Sequence, residues 1–581
     1  MVSMRGAEAL VRSLENEGVR YVFGYPGHGN TNILDALYDS SIEFKLVRHE
    51  QAAAHIADGY ARISGSVGVC CSSVGPGAAN MLMGIGAAFA ASSPVLAISG
   101  GIISRLAGRG QLQETSRAET PTDQAYLQVV QPLVKKAWHV ERGELIPEIV
   151  RRAFQAALGG RPGPVAIELP WDVQAEPCDV ELAEPSRQRI GKRLRPDSDS
   201  LRLAAEKLLS ANHPVIVAGW GAVLSEAGPE IEELASLLGC PVATTNQAKG
   251  IIAEDHPLSI GMIGWLGHPV AHELIREHAD YVLVLGSPLS DLTTCWWTEG
   301  YPFVKQNRFI QVDLEPQEIG KVYPVEVGLL GDAKATLQEL NALLRQSPAR
   351  THRDVTLKLV ADLKRGFELG LPPADGNLEP LRVASELREL LPRQSILSVD
   401  TGNHQHYFAA FYPVYGPRRL LNPGGWTPMG FGPTAIIGAK LAEPQTPCVC
   451  VTGDGGFQMV CQEVLTAVEW GLPVVWVVFN NLSMQASREG QKASYGGRII
   501  GTDLQYRADH ARLAEAFGAV GLKVESYGEL GPAVREALNC GRPAVVDLIM
   551  QREAIPPPVA GYWCEPARDW APARPRGQGS G

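Results

Sequence analysis

Long apolar segments are missing from the sequence, which has 581 residues. No run approaches the ~18–20 apolar residues that a membrane-spanning helix needs. The first ten residues (MVSMRGAEAL) also lack the long apolar core of a signal peptide. We therefore expect neither a membrane protein nor a membrane partner. The length is too great for a single hydrophobic core and predicts about three or four domains.

Positive charge is also scarce. The sequence has 52 Lys and Arg against 63 Asp and Glu, so the net charge is −11, which argues against general affinity for nucleic acid. The ten cysteines show no paired C-x-x-C spacing. Cys70, Cys71, Cys448 and Cys450 lie in apolar runs that are typical of buried strands. A reducing, cytoplasmic location is therefore expected.

A glycine-rich turn between two apolar runs is the most informative feature. Pro447 to Thr452 is typical of a buried strand, and the turn Gly453 to Gly456 (GDGG) follows it. Phe457 to Gly471 has helical apolar spacing, and Leu472 to Phe479 indicates a second buried strand that ends at Asn480-Asn481. This β-turn-α-β unit places polar residues at the carboxyl ends of two strands, where parallel sheets bind ligands. The glycines let a phosphate approach the backbone beside a helix N-terminus.

Asp454 and Asn481 offer a carboxylate and an amide oxygen at those strand ends. Such hard oxygen ligands suit Mg²⁺, which keeps phosphates as further ligands. Taken alone, GDGG can be an ordinary glycine turn, and Asn480-Asn481 can be a pair of surface residues. The two residues are 27 positions apart, and together they resemble the GDG and NN motif of thiamine diphosphate enzymes. By that resemblance Asp454, Asn481 and the carbonyl of Ser483 hold Mg²⁺. It also places three glycines at the diphosphate, namely Gly453, Gly455 and Gly456.

The first domain is predicted over residues 1–180, and Glu50 is its principal candidate. A strand, Phe44 to Val47, leads through Arg48-His49 to Glu50 and an Ala-rich helix. A glutamate at such a junction is often only a helix-start residue that the helix dipole favours. The segment HEQAAAHIADGYAR, however, strongly resembles thiamine diphosphate enzymes, in which this glutamate bonds N1′ of the aminopyrimidine. A proton shared there promotes loss of the thiazolium C2 proton. Its carboxyl group then needs a largely apolar pocket.

Two other turns of this domain carry candidate residues. Family members use the region of Gly75 to Asn80 beside the pyrimidine, so the resemblance makes Gly75 and Asn80 cofactor contacts.

His28 lies where related decarboxylases carry Asp or Ser facing the thiazolium and where acetolactate synthases usually carry glycine. A histidine there can act as an acid or base near neutral pH, or it can be a turn residue that only bonds the backbone. The GH pair and the RLAGR stretch also resemble cyclohexane-1,2-dione hydrolase, and Arg105 to Gln124 is predicted as a loop near the active site.

The middle domain is predicted over residues 198–345, after a linker, Glu176 to Ser200, that is rich in proline and charge. Three apolar runs indicate a Rossmann-like sheet without a full GxGxxG: His213 to Val217, Tyr281 to Leu285 and Phe309 to Val312. The equivalent domain binds FAD in acetolactate synthases and pyruvate oxidases, and ADP or the CoA nucleotide in oxalyl-CoA decarboxylases and 2-hydroxyacyl-CoA lyases. Arg161 and Asp313 match nucleotide contacts of both groups, and Gly264 to Gly267 (GWLG) resembles a flavin-contacting GMHG. FAD is the first expectation; ADP, or an empty domain kept for packing, is the alternative.

The third domain is predicted over residues 379–550. Asn403 and His404 follow the apolar run Ser395 to Val399, and the resemblance places both at the diphosphate. Met429 matches the bulky side chain that props thiamine into a bent form, which brings its 4′-amino nitrogen near C2; core filling is the alternative. The tail, residues 551–581, is predicted either as a disordered segment or as a lid over the site.

The whole pattern resembles thiamine diphosphate enzymes of the acetolactate-synthase-like group. The implied fold is α/β, with three Rossmann-like domains that each have a central parallel sheet (pyrimidine-binding, middle and diphosphate-binding). The first domain of one subunit would face the third domain of another, in a homodimer or a dimer of dimers. The implied activity is formation or cleavage of C–C bonds in small-molecule carbonyl substrates such as 2-keto acids.

Two positions depart from the acetolactate synthases. Gly490 stands where they have a substrate-lining tryptophan, and Leu292 stands where an arginine receives the carboxylate of the second keto acid. Without that guanidinium the usual bidentate partner of a carboxylate is missing, which speaks against acetolactate synthesis itself. A 2-keto acid decarboxylase, a 2-hydroxyacyl-CoA lyase and a cyclic dione hydrolase are the alternatives. A nucleotide-binding regulatory protein with an inactive thiamine site is an alternative of another class, against which Glu50, Asp454 and Asn481 together argue.

Overall fold

Three α/β domains follow one another along the chain. The computed structural model describes residues 2–113, 125–182, 193–347, 353–367 and 369–552. Each domain contains a six-stranded sheet whose strand pairs are parallel, so the predicted fold class is confirmed. The predicted tail or lid lies outside the described residues from residue 553 onward, and so does the second half of the predicted loop that ends at Gln124.

The first domain combines a parallel sheet with a short antiparallel pair. Its strands are β1 (Val2–Arg5), β2 (Tyr21–Gly24), β3 (Glu43–Leu46), β4 (Gly68–Ser72), β5 (Val95–Gly101), β6 (Lys136–His139), β7 (Val165–Pro170) and β8 (Pro177–Val180). Its helices are α1 (Gly6–Asn16), α2 (Thr31–Tyr38), α3 (Glu50–Ser64), α4 (Pro76–Ala90), α5 (Ala125–Val130), α6 (Ile146–Leu158) and α7 (Trp171–Ala175). The strand β8 falls inside the predicted linker, because it pairs with β1 at the start of the chain and so belongs to this domain.

The middle domain has the second sheet. Its strands are β9 (Pro214–Ala218), β10 (Val242–Thr244), β11 (Ser259–Met262), β12 (Tyr281–Leu285), β13 (Arg308–Asp313) and β14 (Val325–Leu330). Its helices are α8 (Ser198–Ser210), α9 (Trp220–Leu224), α10 (Gly228–Leu238), α11 (Pro269–His278), α12 (Asp291–Thr294) and α13 (Ala333–Arg345), and α14 (Arg353–Gly366) follows.

The third domain completes the described chain. Its strands are β15 (Ile396–Val399), β16 (Leu420–Leu421), β17 (Cys448–Gly453), β18 (Val474–Asn480), β19 (Val520–Val524) and β20 (Ala544–Ile549). Its helices are α15 (Pro380–Leu390), α16 (His404–Phe411), α17 (Phe431–Ala442), α18 (Asp454–Val460), α19 (Glu463–Glu469), α20 (Gln485–Tyr495), α21 (His510–Ala516) and α22 (Tyr527–Asn539). The helical run predicted from Phe457 to Gly471 is therefore two helices, with a break before Glu463.

The first and third sheets share one topology. Their strand orders, β3-β2-β4-β5-β7-β6 and β16-β15-β17-β18-β20-β19, are identical when the strands of each sheet are counted from its start. The middle sheet has the order β11-β10-β9-β12-β13-β14, which is that of dinucleotide-binding domains. Ligands of such sheets bind where the strand order reverses, which is between β2 and β4, β9 and β12, and β15 and β17.

The helices α3 and α17 join the first and third domains. A Cβ atom on Gly59 would lie 2.1 Å from the carbonyl oxygen of Ala435, and one on Gly438 would lie 2.0 Å from that of Ile56. Only glycine allows two helix backbones to approach so closely. Residue numbers rise along one helix as they fall along its partner, so the two helices cross in an antiparallel sense.

Burial of the sheets accounts for the apolar character of their strands. All residues of β12 and β18 are buried, as expected for parallel strands covered on both faces. The nine cysteines in the described part of the chain are free thiols, and Cys70, Cys71, Cys448 and Cys450 are buried, as predicted from their apolar runs. Within the described ranges, no helix combines the length and apolar character needed to cross a bilayer.

Candidate active site

A cavity of about 120 Å³ lies at the reversal point of the third sheet. All its described lining residues belong to the third domain: Pro380, Thr401, Gly402, Asn403, His404, Met429, Gly453, Asp454, Gly455, Gly456, Phe479, Asn481, Ser483, Met484, Gln485, Ala486 and Ser487. The eight residues of this domain that the sequence predicts for the diphosphate and the metal therefore line a single cavity, together with Met429, which it predicts to support the bent thiamine.

Asp454 and Asn481 provide oxygen atoms at the carboxyl ends of neighbouring strands. Asp454 Oδ1 accepts a hydrogen bond from Gly455 N and Oδ2 one from Leu482 N, both at 2.8 Å. Asn481 Oδ1 accepts from Ser483 N at 3.1 Å. Burial raises the pKa of Asp454, and a bound cation would favour its ionised form. Among the described residues no group of three or more His, Cys, Asp or Glu could hold a metal. A carboxylate oxygen and an amide oxygen are hard donors, and they fit a hard ion that takes phosphate oxygens as further ligands.

His404 supplies an imidazole to the same cavity. Its Nε2 atom is buried and has no hydrogen-bond partner among the described residues. Desolvation lowers the pKa of the ring to about 4. A bound diphosphate would offer Nε2 an acceptor and favour the protonated ring, because an adjacent anion stabilises a cation. The site therefore fits an anionic group at this position, beside Asn403 at the start of α16.

Two glycines of the GDGG turn lie where a Cβ atom would make close contacts. A Cβ on Gly456 would lie 2.3 Å from Asp400 Oδ2, and one on Gly455 would lie 2.6 Å from Met484 Sδ and 3.5 Å from Met429 Cε. A side chain at Gly456 would collide with the buried Asp400 carboxylate, whereas one at Gly455 would have to displace the flexible end of the Met484 side chain. The backbone of the turn thus stays accessible to a ligand, at the beginning of α18.

Asp400 is a fully buried carboxyl group that the sequence analysis did not select. It accepts hydrogen bonds from the backbone nitrogens of Gly430 and Gly432, both at 3.0 Å, and from Thr452 Oγ1 at 3.1 Å. Burial raises its pKa to about 6. Asp400 thus fixes the loop that follows Met429 against the strand that leads into the GDGG turn. Its place directly after the strand Ile396–Val399 was the available signal.

Glu50 is the first residue of α3 and points toward the beginning of α4. Asn80 Nδ2 donates a hydrogen bond to Glu50 Oε2 at 2.9 Å. A Cβ on Gly77 would lie 3.1 Å from Glu50 Oε1. The predicted pair Glu50 and Asn80 is therefore brought together, at the reversal point of the first sheet. Gly75, the N-cap of α4, has a φ of +62°, in the left-handed region that favours glycine.

His28 lies at the same end of the first sheet. Its turn is held by Asn30, which is fully buried and whose Oδ1 accepts a hydrogen bond from Gly27 N at 2.9 Å. Gly29 N donates to Ser73 Oγ at 3.1 Å, which fixes the turn on the segment that leads into α4. The His28 side chain is exposed. The rigid turn thus presents an imidazole to solvent at the end of the sheet that also carries Glu50.

Within one chain, Glu50 and Met429 lie at opposite ends of a helix pair. Glu50 begins α3 and Met429 precedes α17, and the two helices cross near Gly59 and Ala435 in an antiparallel sense. At 1.5 Å per helical residue, their starting points are separated by roughly 20 Å along the pair. A single chain therefore does not bring the glutamate to the diphosphate cavity.

A larger cavity, of about 470 Å³, lies at the reversal point of the middle sheet. Arg161 and Asp313, both predicted from the sequence as nucleotide contacts, line it. Arg161 Nε donates to Ser92 Oγ at 2.7 Å, and burial raises the pKa of Asp313. The buried Trp220 Nε1 has no hydrogen-bond partner among the described residues. A guanidinium for phosphate and a carboxylate for hydroxyl groups suit a nucleotide.

The GWLG segment packs outside this cavity. The Trp265 ring lies 5.1 Å from the His406 ring and 5.5 Å from the Trp296 ring. Leu266 is buried with Met262 against the third domain. The Trp265 and Leu266 side chains therefore pack between the middle and third domains and do not line the cavity. The residues that do line it, such as Arg161 and Asp313, suit the nucleotide portion of a ligand.

The two positions that depart from the acetolactate synthases are also visible. A Cβ on Gly490, in α20, would meet no described atom within 4 Å, so the place of a tryptophan is open space. The carbonyl of Leu292 accepts a hydrogen bond from Trp265 N at 2.8 Å. Its apolar side chain cannot replace a guanidinium. Gln485, Ala486 and Ser487 instead bring small and polar groups to the cavity, a feature that the sequence analysis missed.

Three family models match the chain. They are described as the N-terminal thiamine pyrophosphate binding domain (residues 4–120), the central domain (residues 201–340) and the C-terminal thiamine pyrophosphate binding domain (residues 400–548) of thiamine pyrophosphate enzymes. Each match covers one of the three sheets in whole or in large part.

Whole proteins of known name are also similar. The chain is 36% identical over 561 residues to a probable acetolactate synthase large subunit of Methanococcus aeolicus, and the alignment covers 94% of this chain and 92% of that protein. It is 34% identical to the acetolactate synthase large subunit of Haemophilus influenzae, with 93% of both chains covered. It is 33% identical to the isozyme 3 large subunit of Escherichia coli K12, again with 93% of both covered.

Proposed function

The chain belongs to the thiamine pyrophosphate enzymes, in their acetolactate-synthase-like group, and from this premise we propose that it forms or cleaves a C–C bond of 2-keto acids or related carbonyl compounds. One observation carries the proposal. The oxygen atoms of Asp454 and Asn481, the unpartnered Nε2 atom of His404 and the backbone of Gly455 all line one cavity.

The residues of the chain divide the work between binding and proton control. When bound, thiamine diphosphate supplies a carbon nucleophile and takes up electrons as bonds to a carbonyl carbon change. Asp454, Asn481 and the Ser483 carbonyl would hold Mg²⁺, while His404 would bind the diphosphate. Glu50 would hold a proton at N1′ of the aminopyrimidine. Met429 would support the bent cofactor from the wall of the cavity.

Product analysis tests this function. The loaded protein is incubated with pyruvate and a panel of aldehydes, and hydroxyketones are identified by mass spectrometry and NMR. We expect a product with a new C–C bond, and none from Glu50→Gln, which should still bind the cofactor in the presence of Mg²⁺. Release of aldehyde alone would replace the proposal with a simple decarboxylase. Turnover by Glu50→Gln equal to that of the unchanged protein would contradict the role of the glutamate.

The acceptor should differ from that of the acetolactate synthases. The open space at Gly490 and the apolar side chain at Leu292 remove the expected wall and the expected carboxylate partner. An uncharged aldehyde or ketone needs neither group. In the same assay, we therefore expect aldehydes to compete successfully with a second molecule of pyruvate as acceptor. Acetolactate as the main product in the presence of aldehydes would contradict this.

His28 is proposed as the acid or base that acts at the substrate oxygen. The rigid turn presents its side chain at the end of the sheet that carries Glu50. A neutral imidazole can accept a proton near pH 7 and return it. His28→Ala should slow product formation or change the ratio of products, while His28→Asn keeps a polar group of similar size as a control. Identical rates and products from His28→Ala would remove this residue from the mechanism.

The middle domain is proposed to bind a nucleotide through Arg161 and Asp313, with FAD as the first candidate and ADP or a CoA nucleotide as the second. The volume of about 470 Å³ and the unpartnered Trp220 Nε1 support a bound ligand. A visible spectrum of the purified protein, followed by chromatography of the released nucleotide, distinguishes the candidates. A colourless protein that releases ADP would exclude flavin, and a protein that releases and binds neither would exclude the proposal.

The working unit is proposed to be at least a homodimer. The antiparallel α3–α17 crossing separates Glu50 from the diphosphate cavity of its own chain, so a second copy must supply the glutamate. Exposed apolar side chains on the two domains support such contact: Met83 and Leu112 in the first, and Met459 and Tyr506 in the third. Such side chains often mark interfaces between chains.

Hybrid dimers test the shared site. Chains with Glu50→Gln are mixed with chains with Asp454→Asn after reversible dissociation. Each variant alone should be inactive, whereas a mixed dimer contains one site with both native residues. Random pairing gives half mixed dimers with one working site of two, so activity should recover to about one quarter. No recovery, in a mixture shown to exchange subunits, would contradict the shared site.

A further inference from the structure

Glu463 is a buried acid that links the third domain to the residues before Glu50. It begins α19 and is only 1% exposed. Its Oε1 and Oε2 atoms lie 3.1 and 3.3 Å from Arg48 N, and the backbone of His49 also donates to it. Thr466 Oγ1 donates to Oε2 at 2.7 Å. One carboxyl group thus connects α19 to the two residues that precede α3.

Arg48 and His49 determine the position of Glu50, the first residue of α3. His49 is in an extended conformation, and its Nδ1 accepts a hydrogen bond from Gln51 N at 3.1 Å, so it caps α3. The Arg48 guanidinium forms an ion pair with Glu469 on the same helix as Glu463. The segment is therefore held by contacts from α19 to its side chain and to its backbone amides. Glu50 follows directly, so a shift of this backbone moves its carboxylate.

Burial makes the backbone contacts of Glu463 difficult to replace. Amide groups that lose a partner in the interior carry a desolvation penalty unless the chain rearranges to meet water or another acceptor. Removal of the Glu463 side chain therefore favours movement of residues 48 and 49. The opposite side of the glutamate is fixed by Asn80, which donates to Glu50 Oε2 from α4. The Glu50 carboxylate would then keep its hydrogen bond to Asn80 but lose the fixed position of the backbone that precedes it.

We propose that Glu463 is a positioning residue, which holds the Arg48–His49 backbone so that Glu50 is presented correctly to the aminopyrimidine. The inference rests on the proposed function of Glu50, and Glu463 is not among the described residues that line the diphosphate cavity. The helices α18 and α19 follow one another from Asp454, so the contact also ties the diphosphate half of the chain to the glutamate half. In the proposed dimer these two halves serve different sites.

The experiment separates positioning from general stabilisation. Exchange of the cofactor C2 proton for deuterium reports on Glu50, whereas cofactor affinity in the presence of Mg²⁺ reports on the third-domain cavity. Exchange is measured on the loaded protein by quenched-flow NMR, and the cofactor Kd is measured by calorimetric titration of protein from which the cofactor has been removed. For Glu463→Ala we expect exchange to slow by ~10–100-fold, the usual effect of removing a residue that orients a functional group. The cofactor Kd should change by less than ~3-fold, because the cavity contacts remain.

Three variants complete the test. Glu463→Gln keeps an oxygen that can accept from Arg48 N, so it should retain most of the exchange rate. Thr466→Val removes one donor to Glu463 and should give a smaller loss than Glu463→Ala, which keeps the inference testable if that variant fails to fold. Glu469→Gln breaks the ion pair with the Arg48 side chain but leaves the backbone contacts of Glu463 in place, so its loss of exchange should be smaller than that of Glu463→Ala.

The outcomes distinguish this inference from the proposed function. If Glu50→Gln exchanges as fast as the unchanged protein, the proposed role of Glu50 fails. If Glu50→Gln loses exchange but Glu463→Ala and Thr466→Val do not, only the positioning role fails. Equal losses of exchange and affinity that follow the loss of native circular dichroism would also overturn it, since they indicate a purely structural role.

Discussion

The α3–α17 crossing leads to a quantitative prediction about Gly59 and Gly438. A Cβ at either position would lie 2.1 or 2.0 Å from a carbonyl oxygen of the facing helix. An ordinary contact between a carbon and an oxygen atom is longer than these distances by more than 1 Å. Each alanine must therefore move the α3 and α17 backbones apart by roughly 1 Å. Overpacking of this kind costs about 1–3 kcal/mol, and the alanine recovers about 0.5–1 kcal/mol through its better helix propensity. We expect a net loss of about 1–2 kcal/mol for each single substitution.

Chemical denaturation followed by circular dichroism measures this loss, and scanning calorimetry gives the shift in Tm. A matched control is Gly490→Ala, at a helical glycine whose Cβ would meet no described atom within 4 Å. That variant should gain about 0.5–1 kcal/mol. The double variant Gly59→Ala with Gly438→Ala should lose less than the sum of the single losses, because one separation of the helices relieves both overlaps.

Equal or greater stability of Gly59→Ala relative to the unchanged protein would refute the reasoning. The same variants also have a functional readout. Since α3 begins at Glu50 and α17 follows Met429, a wider crossing displaces both. We therefore expect Gly59→Ala to lose turnover as well as stability.

The remaining predictions concern charged groups. Burial raises the pKa of Glu463 to about 7, so its contribution to the free energy of unfolding is fully present below the unfolded pKa of about 4.3 and is lost as pH rises through about 7. Denaturation at several pH values measures the free energy of unfolding of both proteins. Between pH 4 and pH 8 this free energy should rise by about 3 kcal/mol in Glu463→Gln relative to the unchanged protein. A difference between the two proteins that does not vary with pH would contradict this. Asp454→Asn should weaken Mg²⁺-dependent cofactor binding by at least ~10-fold in calorimetry, and an unchanged Kd would exclude it as a ligand. Arg62→Met should lose about 3–5 kcal/mol, because it leaves the fully buried Asp58 without its partner, and a simultaneous Asp58→Asn should restore part of that loss.

The strands that support the site could be predicted from the sequence because burial on both faces leaves a continuous apolar run. The run Tyr281 to Leu285 coincides with β12, and the run Pro447 to Thr452 differs from β17 by one residue at each end. Two of the edge strands were missed, although the edge strand Glu43–Leu46 was predicted. Lys136–His139 is partly exposed, and Leu420–Leu421 has only two residues, so neither carries a periodic signal of sufficient length.

The motif residues of the site could be selected, but their supporting contacts could not. GDGG and NN are close in sequence, and their spacing carries the signal. Glu463 binds the backbone of Arg48, which lies 415 residues away, and Asp400 binds Gly430 and Gly432 across a loop. Such partners depend on the packing of domains, which no local pattern encodes.

The shared topology of the first and third sheets explains why the site has two halves. In each domain the helix between the second and third strands, α3 or α17, starts beside the reversal point of its sheet, and these starts carry Glu50 and Met429. Because the two helices cross in an antiparallel sense, one chain directs its two starts to opposite ends of the pair. A second copy related by a two-fold axis can place its α3 start against the α17 start of the first, and the same operation completes the other site. Two equivalent sites thus follow from one repeated fold and one helix crossing.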